Sequence, residues 1–387
     1  MRSVSILGIG STPFGLHHDQ SIEQLAEQAA IEAIFDSGIE RERIGVLYFG
    51  NFVSGVLNGQ EILAGLVADN LGLPNIPCTK VEGACASGGI AFRHACLAIA
   101  TGQCDVALVI GAERMSHKAS NEVTAALNCA MNNATDGRVG LTFPGVFGLI
   151  WSAYAERTGA TREDISAVAV KNKWNGLKNP LAQMKKSITA EDILNSPLIC
   201  DPLRLYDCCP ISDGASALVL TTSEIAKSTG HGQLIDVLAS VQTRGSAHLS
   251  TQGDPCSFGA TVEAARQAYA TANISSNDLD FVELHDCFSI AEVIDSEDLG
   301  LIKRGHGARW AAEGNSAVSG MMPINTSGGL LAKGHPVGAT GVSQIYEAVK
   351  QLRGTHANQV PNAEIGMTHN LGGTGVVCTV NILARRS

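Results

Sequence analysis

The strongest constraint on this chain is that it repeats itself once. Gly38-Ile-Glu-Arg-Glu-Arg-Ile-Gly-Val-Leu-Tyr-Phe49 can be laid on Asn273-Ile-Ser-Ser-Asn-Asp-Leu-Asp-Phe-Val-Glu-Leu284, matching Ile39 with Ile274 and Ile44 with Leu279. Each copy follows an alanine-rich segment with helical spacing. Ile235 to Val241 likewise echoes the N-terminal strand Val4 to Gly8, and Cys85-Ala-Ser-Gly-Gly-Ile falls on His335-Pro-Val-Gly-Ala-Thr. Only two copies exist, each as long as a βαβ set, so the chain is a duplicated fold and not a solenoid. Short apolar runs at Ile44 to Phe49, Cys78 to Val81, Asp105 to Glu113 and Asp213 to Leu220 alternate with helical patterns at Ser21 to Ser37 and Ile90 to Ala100. That alternation predicts an α/β sheet. At 387 residues the chain exceeds a usual single core, which fits two halves, 1–231 and 232–387, meeting at the turn Gly230-His-Gly-Gln. The stretch from about 116 to 205 is less regular and reads as an inserted lid.

Candidate chemistry gathers where strands end and helices begin. In Val81-Glu-Gly-Ala-Cys85-Ala-Ser-Gly-Gly-Ile90 a cysteine sits among small residues between a strand and a helix. A helix N-terminus favours thiolate over thiol, and Gly, Ala and Ser leave room for an acyl group, so Cys85 is the candidate nucleophile. If the halves pack about a pseudo-twofold axis, Cys85 and His335 open equivalent helices and face one site. Glu283-Leu-His-Asp-Cys-Phe288 ends a strand, and an extended backbone puts His285 and Cys287 on the same side. Asn325-Thr-Ser-Gly-Gly-Leu-Leu-Ala-Lys-Gly-His335 delivers a histidine to a helix start with Pro336 in its first turn. His369-Asn-Leu-Gly-Gly-Thr-Gly375 follows a strand from Glu364 to Thr368.

Charge and cysteine usage exclude several classes. Twenty-seven basic against 37 acidic side chains give −10, which argues against nucleic acid or an anionic membrane as the main partner. Eleven cysteines without a repeating spacing, and no secretory signal or membrane-spanning run, indicate a reducing intracellular compartment. Cys208-Cys209 lack the gap of a zinc or redox motif, so no metal is expected. In this acidic chain the lysines 171, 173, 178, 185 and 186 form a basic cluster that suits a phosphorylated ligand.

Ala84-Cys85-Ala-Ser-Gly, Gly111-Ala-Glu-Arg-Met-Ser116, Cys209-Pro-Ile-Ser-Asp-Gly-Ala215, His285-Asp-Cys-Phe288 and Gly334-His-Pro-Val-Gly-Ala-Thr-Gly341 together resemble a thiolase over essentially the whole chain. The resemblance is closer to the sterol-carrier-protein-2 type. Better-known thiolases carry Asn-Glu-Ala-Phe in place of His285-Asp-Cys-Phe288, and a cysteine in place of His369. The resemblance implies a five-layered αβαβα arrangement of two βαβ-based halves. It also implies acyl transfer through an acyl-cysteine, with coenzyme A thioesters as substrates and no resident cofactor.

In that chemistry Cys85 attacks the thioester with His335 as base. His335 and His285, the latter by way of a bound water, hold the enolate oxygen. Cys287 takes over the acid/base duty of the missing cysteine, with His369 the next candidate. Backbone N–H groups of Cys85 and of Leu371, Gly372 and Gly373 are expected to meet the acyl oxygen. Lys171, Lys173, Phe147, Ser327 and Gly328 are the candidate CoA contacts, under a lid over the pantetheine arm. A homodimer or homotetramer follows from the resemblance, with a small zinc-ribbon and OB-fold protein as a further partner. Ala384-Arg-Arg-Ser387 is not a peroxisomal tripeptide and no lipid-transfer domain follows, so the cytoplasm is the expected location. Three other readings use the same residues: a decarboxylating ketoacyl-synthase-like enzyme, an aldolase on the same fold, and a non-catalytic acyl-CoA or sterol carrier.

Overall fold

A computed structural model describes residues 1–230 and 232–386. His231, within the predicted turn between the halves, and Ser387 at the end lie outside the described residues. The strands of the main sheet are β1 (Val4–Ser11), β2 (Val46–Gly50), β3 (Cys78–Val81), β4 (Val106–Glu113), β5 (Gly214–Thr222), β6 (Ile235–Arg244), β7 (Phe281–Glu283), β8 (Ile365–Gly372) and β9 (Val377–Arg385). They hydrogen-bond in the order β3-β2-β4-β5-β1-β6-β9-β8-β7. The order is a palindrome of the two halves. In the first, β3, β2 and β4 run parallel and β4, β5 and β1 antiparallel. In the second, β7 and β8 run parallel and β8, β9 and β6 antiparallel. The counterpart of β3 shrinks to one parallel bridge between Val282 and Ile324. The two halves meet where β1 pairs with β6, at Ser5–Asp236 and Ile6–Ile235.

The repeat seen in the sequence is a repeat of backbone. Helix α1 (Ile22–Ser37) ends on Gly38 at φ 63°, and helix α5 (Gly259–Ala272) ends on Asn273 at φ 55°. Each is followed by a 3-10 turn, Arg41–Arg43 or Ser276–Asp278, and then by β2 or β7. Both caps need the left-handed conformation that Gly and Asn supply at least cost.

Helices α2 (Ser87–Ala100) and α7 (Thr340–Leu352) form the middle layer. Ile90, Phe92, Val342 and Ile345 join one buried cluster with Val46 and Leu218 of the first half and Phe281 and Leu383 of the second. Outside lie α1, packed on the first half, and α5 on the second, which makes five layers. The middle helices touch backbone to backbone. A Cβ on Gly88 would lie 2.8 Å from the Gly338 carbonyl oxygen, and one on Gly341 would lie 2.3 Å from the Gly89 nitrogen.

The inserted segment is more regular than its sequence suggested. It contains α3 (Phe143–Thr158) and α4 (Arg162–Lys178), with shorter helices at Ser120–Leu127 and Ala190–Asn195. Thr142, Thr161 and Thr189 accept hydrogen bonds as N-caps, the last two within capping boxes. The helical period was masked because α4 buries Asn172, Lys173 and Asn175 alongside its apolar residues. Here α6 (Ser289–Asp298) and α3 share the core of the second half.

Candidate active site

Cys85 follows β3 in a tight turn, Ala84–Ala86, and α2 begins only at Ser87. Ala84 has φ 50°, a conformation that costs a non-glycine residue about 1 kcal/mol or more. Ser87 pins the turn: its hydroxyl donates to the Ala84 carbonyl at 2.6 Å and accepts from the Gly83 N–H at 3.0 Å. His335 lies before α7, which starts at Thr340, four residues beyond Pro336. Its N–H donates to the Ser212 hydroxyl at 3.0 Å, and its Nδ1 meets the Thr340 hydroxyl at 2.6 Å. His285 sits just beyond β7, and its N–H donates to Nδ1 of His369 at 3.4 Å. The sulfur of Cys85 and a ring nitrogen from each of His285 and His335 lie within 4.8 Å of one another. The two rings meet edge to face, 5.0 Å apart. One half thus contributes the thiol and the other both imidazoles.

The resting charge state differs from the expected thiolate. Burial pushes the Cys85 thiol up to about 12, against the opposing pull of the Gly373 N–H, and the Glu113 carboxylate adds to the rise. Burial also pushes His335 down to about 3 and His285 well below the usual imidazole range. The site is therefore a neutral thiol beside neutral imidazoles, because desolvation outweighs the field of a helix that begins two residues later. Glu113 is itself buried. It accepts from the Asn51 amide at 2.8 Å, the Phe52 N–H at 2.9 Å and the Gly338 N–H at 3.2 Å, tying β4 to the loop behind His335.

A thiol with a raised pKa stays protonated below that value. Alkylation of Cys85 by iodoacetamide, followed by peptide mass spectrometry, should rise about tenfold per pH unit and show no plateau between pH 6 and 9. A plateau reached below pH 8 would instead mark a preformed thiolate–imidazolium pair.

Cys287 is buried, and burial raises its thiol well above the usual range, with Cys209 and Cys85 adding to the shift. A tight turn, in which the Asp286 N–H donates to the Leu284 carbonyl at 3.1 Å, replaces the extended backbone expected between His285 and Cys287. His369 lies inside β8, not after a strand, and is fully buried. Its Nε2 meets the Thr261 hydroxyl at 3.0 Å, which donates to Asp295 at 3.1 Å, so both its nitrogens are occupied behind His285. Leu371 is a buried β8 residue, and Gly372 packs on Gly83, where a Cβ would lie 2.4 Å from the carbonyl oxygen. The glycine-loop N–H that reaches the Cys85 sulfur belongs to Gly373.

The proposed coenzyme A contacts fall elsewhere. Lys171 is partly buried, its side chain 10% exposed, and donates to Glu292 at 2.6 Å and to the Ile324 carbonyl at 2.7 Å. Lys173 is 1% exposed and its ammonium donates to the Leu331 carbonyl. Neither cation is free to meet a phosphate. Phe147 is a core residue whose ring stacks on Phe288 at 4.6 Å. Ser327 is buried and donates to Glu283 at 2.5 Å, and Gly328, at φ 101°, packs on Gly176 of α4. These residues support the His285–Phe288 loop from behind. Spacing alone did not reveal which side of α4 is buried.

An apolar cleft of about 390 Å³ opens beside the thiol, walled by His335, Met115, Leu127, Phe143, Ile211 and Val337. A larger cavity, about 740 Å³, lies along α4 at Trp174 and Lys178 and includes none of Cys85, His285 or His335. His335 lines the smaller one, and Cys85 packs against the cluster that includes two of its walls, Met115 and Val337. Sequence reasoning missed Glu113, Thr340 and Asn370, although each lies inside or beside a motif already singled out.

The chain matches the thiolase N-terminal domain over residues 4–224 and the thiolase C-terminal domain-like family over residues 242–385. It is 41% identical to the acetyl-CoA acetyltransferase of Methanothermobacter thermautotrophicus, covering 100% of both chains. It is 31% identical to human sterol carrier protein 2, over 98% of this chain and 72% of that protein. Among solved structures, the Ltp2-ChsH2(DUF35) aldolase superposes with a TM-score of 0.84 at 28% identity, over 99% of this chain and 98% of that one. With a cysteine turn and two histidine loops supplied by a duplicated α/β fold, the chain belongs to the thiolase family and, within it, to the sterol-carrier-protein-2 type.

Proposed function

We propose that this protein transfers acyl groups between acyl-CoA and CoA, forming or cleaving a 3-ketoacyl-CoA through an acyl group on Cys85. The observation that carries this reading is the convergence of Cys85, His285 and His335 within 4.8 Å beside an apolar cleft. Because the resting thiol is neutral, attack and proton transfer are coupled: the Cys85 sulfur bonds to the thioester carbonyl carbon as His335 takes its proton. The tetrahedral oxygen lies against the N–H groups of Cys85 and Gly373, and the CoA thiolate leaves with the proton of Cys287, which is left as a thiolate while His335 keeps the Cys85 proton. A second acyl-CoA then loses an α-proton to the Cys287 thiolate, its enolate oxygen held by the imidazoles. The carbanion displaces the Cys85 sulfur, which regains its proton from His335, to give the 3-ketoacyl-CoA, and cleavage runs the same steps backwards. The raised Cys287 pKa suits this role, since a weak carbon acid needs a strong base.

Intact-mass spectrometry after mixing with acyl-CoA tests the reading. Wild type should show the acyl mass on Cys85, and Cys287→Ala should keep that acylation while slowing steady-state turnover about 10²–10³-fold. Turnover of Cys287→Ala at the wild-type rate would move the acid/base role away from this thiol.

The same reading extends to assembly and location. Strand β3 ends the sheet with one edge unpaired, which supports a homodimer formed edge to edge. The solved relative is a complex with a DUF35 protein, and a partner of that kind is proposed here too. Eleven free cysteines fit a reducing cytoplasm, and no helix among the described residues is long and apolar enough to cross a membrane. That relative's aldolase activity also defines the second reading, in which Cys85 is dispensable.

A further inference from the structure

The two active-site histidines are held by neighbours with opposite hydrogen-bonding capacity. The Thr340 hydroxyl has one hydrogen, and it donates to the Pro336 carbonyl at 3.1 Å. Toward Nδ1 of His335, 2.6 Å away, it therefore accepts, so His335 carries its proton on Nδ1 and leaves Nε2 a lone pair. At His285 the neighbour is Asn370. Its amide nitrogen lies 2.9 Å from the Cys85 carbonyl oxygen and 3.3 Å from Nδ1 of His285. A carbonyl only accepts, so the first contact fixes which end of the amide is nitrogen. The second hydrogen of that NH₂ then points at Nδ1 of His285, which must be unprotonated. The neutral ring carries its proton on Nε2.

The amide has little freedom to turn over. A Cβ on Gly341 would lie 2.3 Å from Asn370 Oδ1 and one on Gly89 would lie 3.2 Å from it, so the side chain is wedged at the start of both middle helices. The His285 backbone is tethered on its other side by His369. Burial keeps both imidazoles neutral, so each presents a single kind of ring nitrogen to the cleft.

We propose that Asn370 is a positioning residue that locks His285 as an N–H donor, giving the two adjacent imidazoles opposite tautomers and separate duties. His335 Nε2 receives the Cys85 proton, and His285 Nε2–H binds the enolate oxygen of the second acyl-CoA. This assignment rests on the acyl-cysteine route above and adds to it the group that sets the donor.

Nitrogen-15 NMR of histidine-labelled wild-type protein, assigned with His285→Ala and His335→Ala, reads the tautomers directly. The expected result is protonation at Nε2 for His285 and at Nδ1 for His335. An Nδ1-protonated His285 overturns the proposal whether or not the enzyme turns over. In Asn370→Ala the His285 spectrum should shift toward a mixture of tautomers. Condensation should fall about 10²–10³-fold, with single-turnover acylation of Cys85 changed less than about tenfold. Equal losses in both steps, or an unchanged His285 spectrum, would also overturn it. Failure of the acyl-cysteine route would show differently, as no acyl mass on Cys85 in wild type.

Discussion

Cys85→Ala should lose 3-ketoacyl-CoA cleavage by roughly 10⁴-fold or more while CoA binding, read by calorimetry, persists. The size follows from the chemistry: without the thiol there is no atom to hold the acyl group, and the proton acceptor His335 has nothing to activate. Binding survives because the cleft walls are supplied by Met115, Leu127, Phe143, Ile211 and Val337, all of which remain when one sulfur is removed. Cys85 is half-buried, so its truncation leaves little cavity, and the fold should tolerate it. Turnover within tenfold of wild type would end the acyl-cysteine reading and favour the aldolase reading, which needs no such thiol.

Gly88→Val is expected to prevent folding. A Cβ at this position already lies 2.8 Å from the Gly338 carbonyl oxygen and 3.0 Å from the Val342 nitrogen, and both are backbone atoms that cannot rotate away. Gly88 is closely approached from another side as well, since a Cβ on Gly50 would lie 2.7 Å from its Cα. Even Gly88→Ala must push α2 and α7 apart, at about 1–3 kcal/mol, and the extra methyls of valine multiply the overlap. Gly253→Ala is the control, because nothing lies within 4 Å of its Cβ position and the change should stay within about 0.5 kcal/mol. Circular dichroism and thermal unfolding of the three variants provide the comparison. A cooperatively folded Gly88→Val protein of wild-type stability would show that the contact between the middle helices is not required.

The fold was legible where apolar runs and the internal repeat agreed. Both copies from Gly38 and Asn273 give the same cap, turn and strand, because side chains at those positions face the same surroundings twice. Cys85 and His335 stood out because a reactive group among glycines and small residues is uncommon in a packed core. The lysines misled for a physical reason. Sequence reports a charge, yet whether Lys171 meets solvent or Glu292 depends on which side of α4 is covered. His369 was misplaced because β8 continues to Gly372 through His369 and Asn370, polar residues buried in the sheet by partners distant in sequence. Asn370 was invisible as a functional group, since its effect depends on two atoms, Cys85 O and His285 Nδ1, that only the folded chain brings together.

The inserted segment is bolted to the chemistry by buried polar bonds. Lys171 holds Glu292, Asn172 holds Asp286 at 2.7 Å, and Lys173 holds the Leu331 carbonyl. The inserted segment and the His285–Phe288 loop are thus one mechanical part. A graft that exchanges this segment with a relative's would transplant the setting of His285 and Cys287 along with the acyl preference, so substrate range and proton-transfer rate should be inherited together.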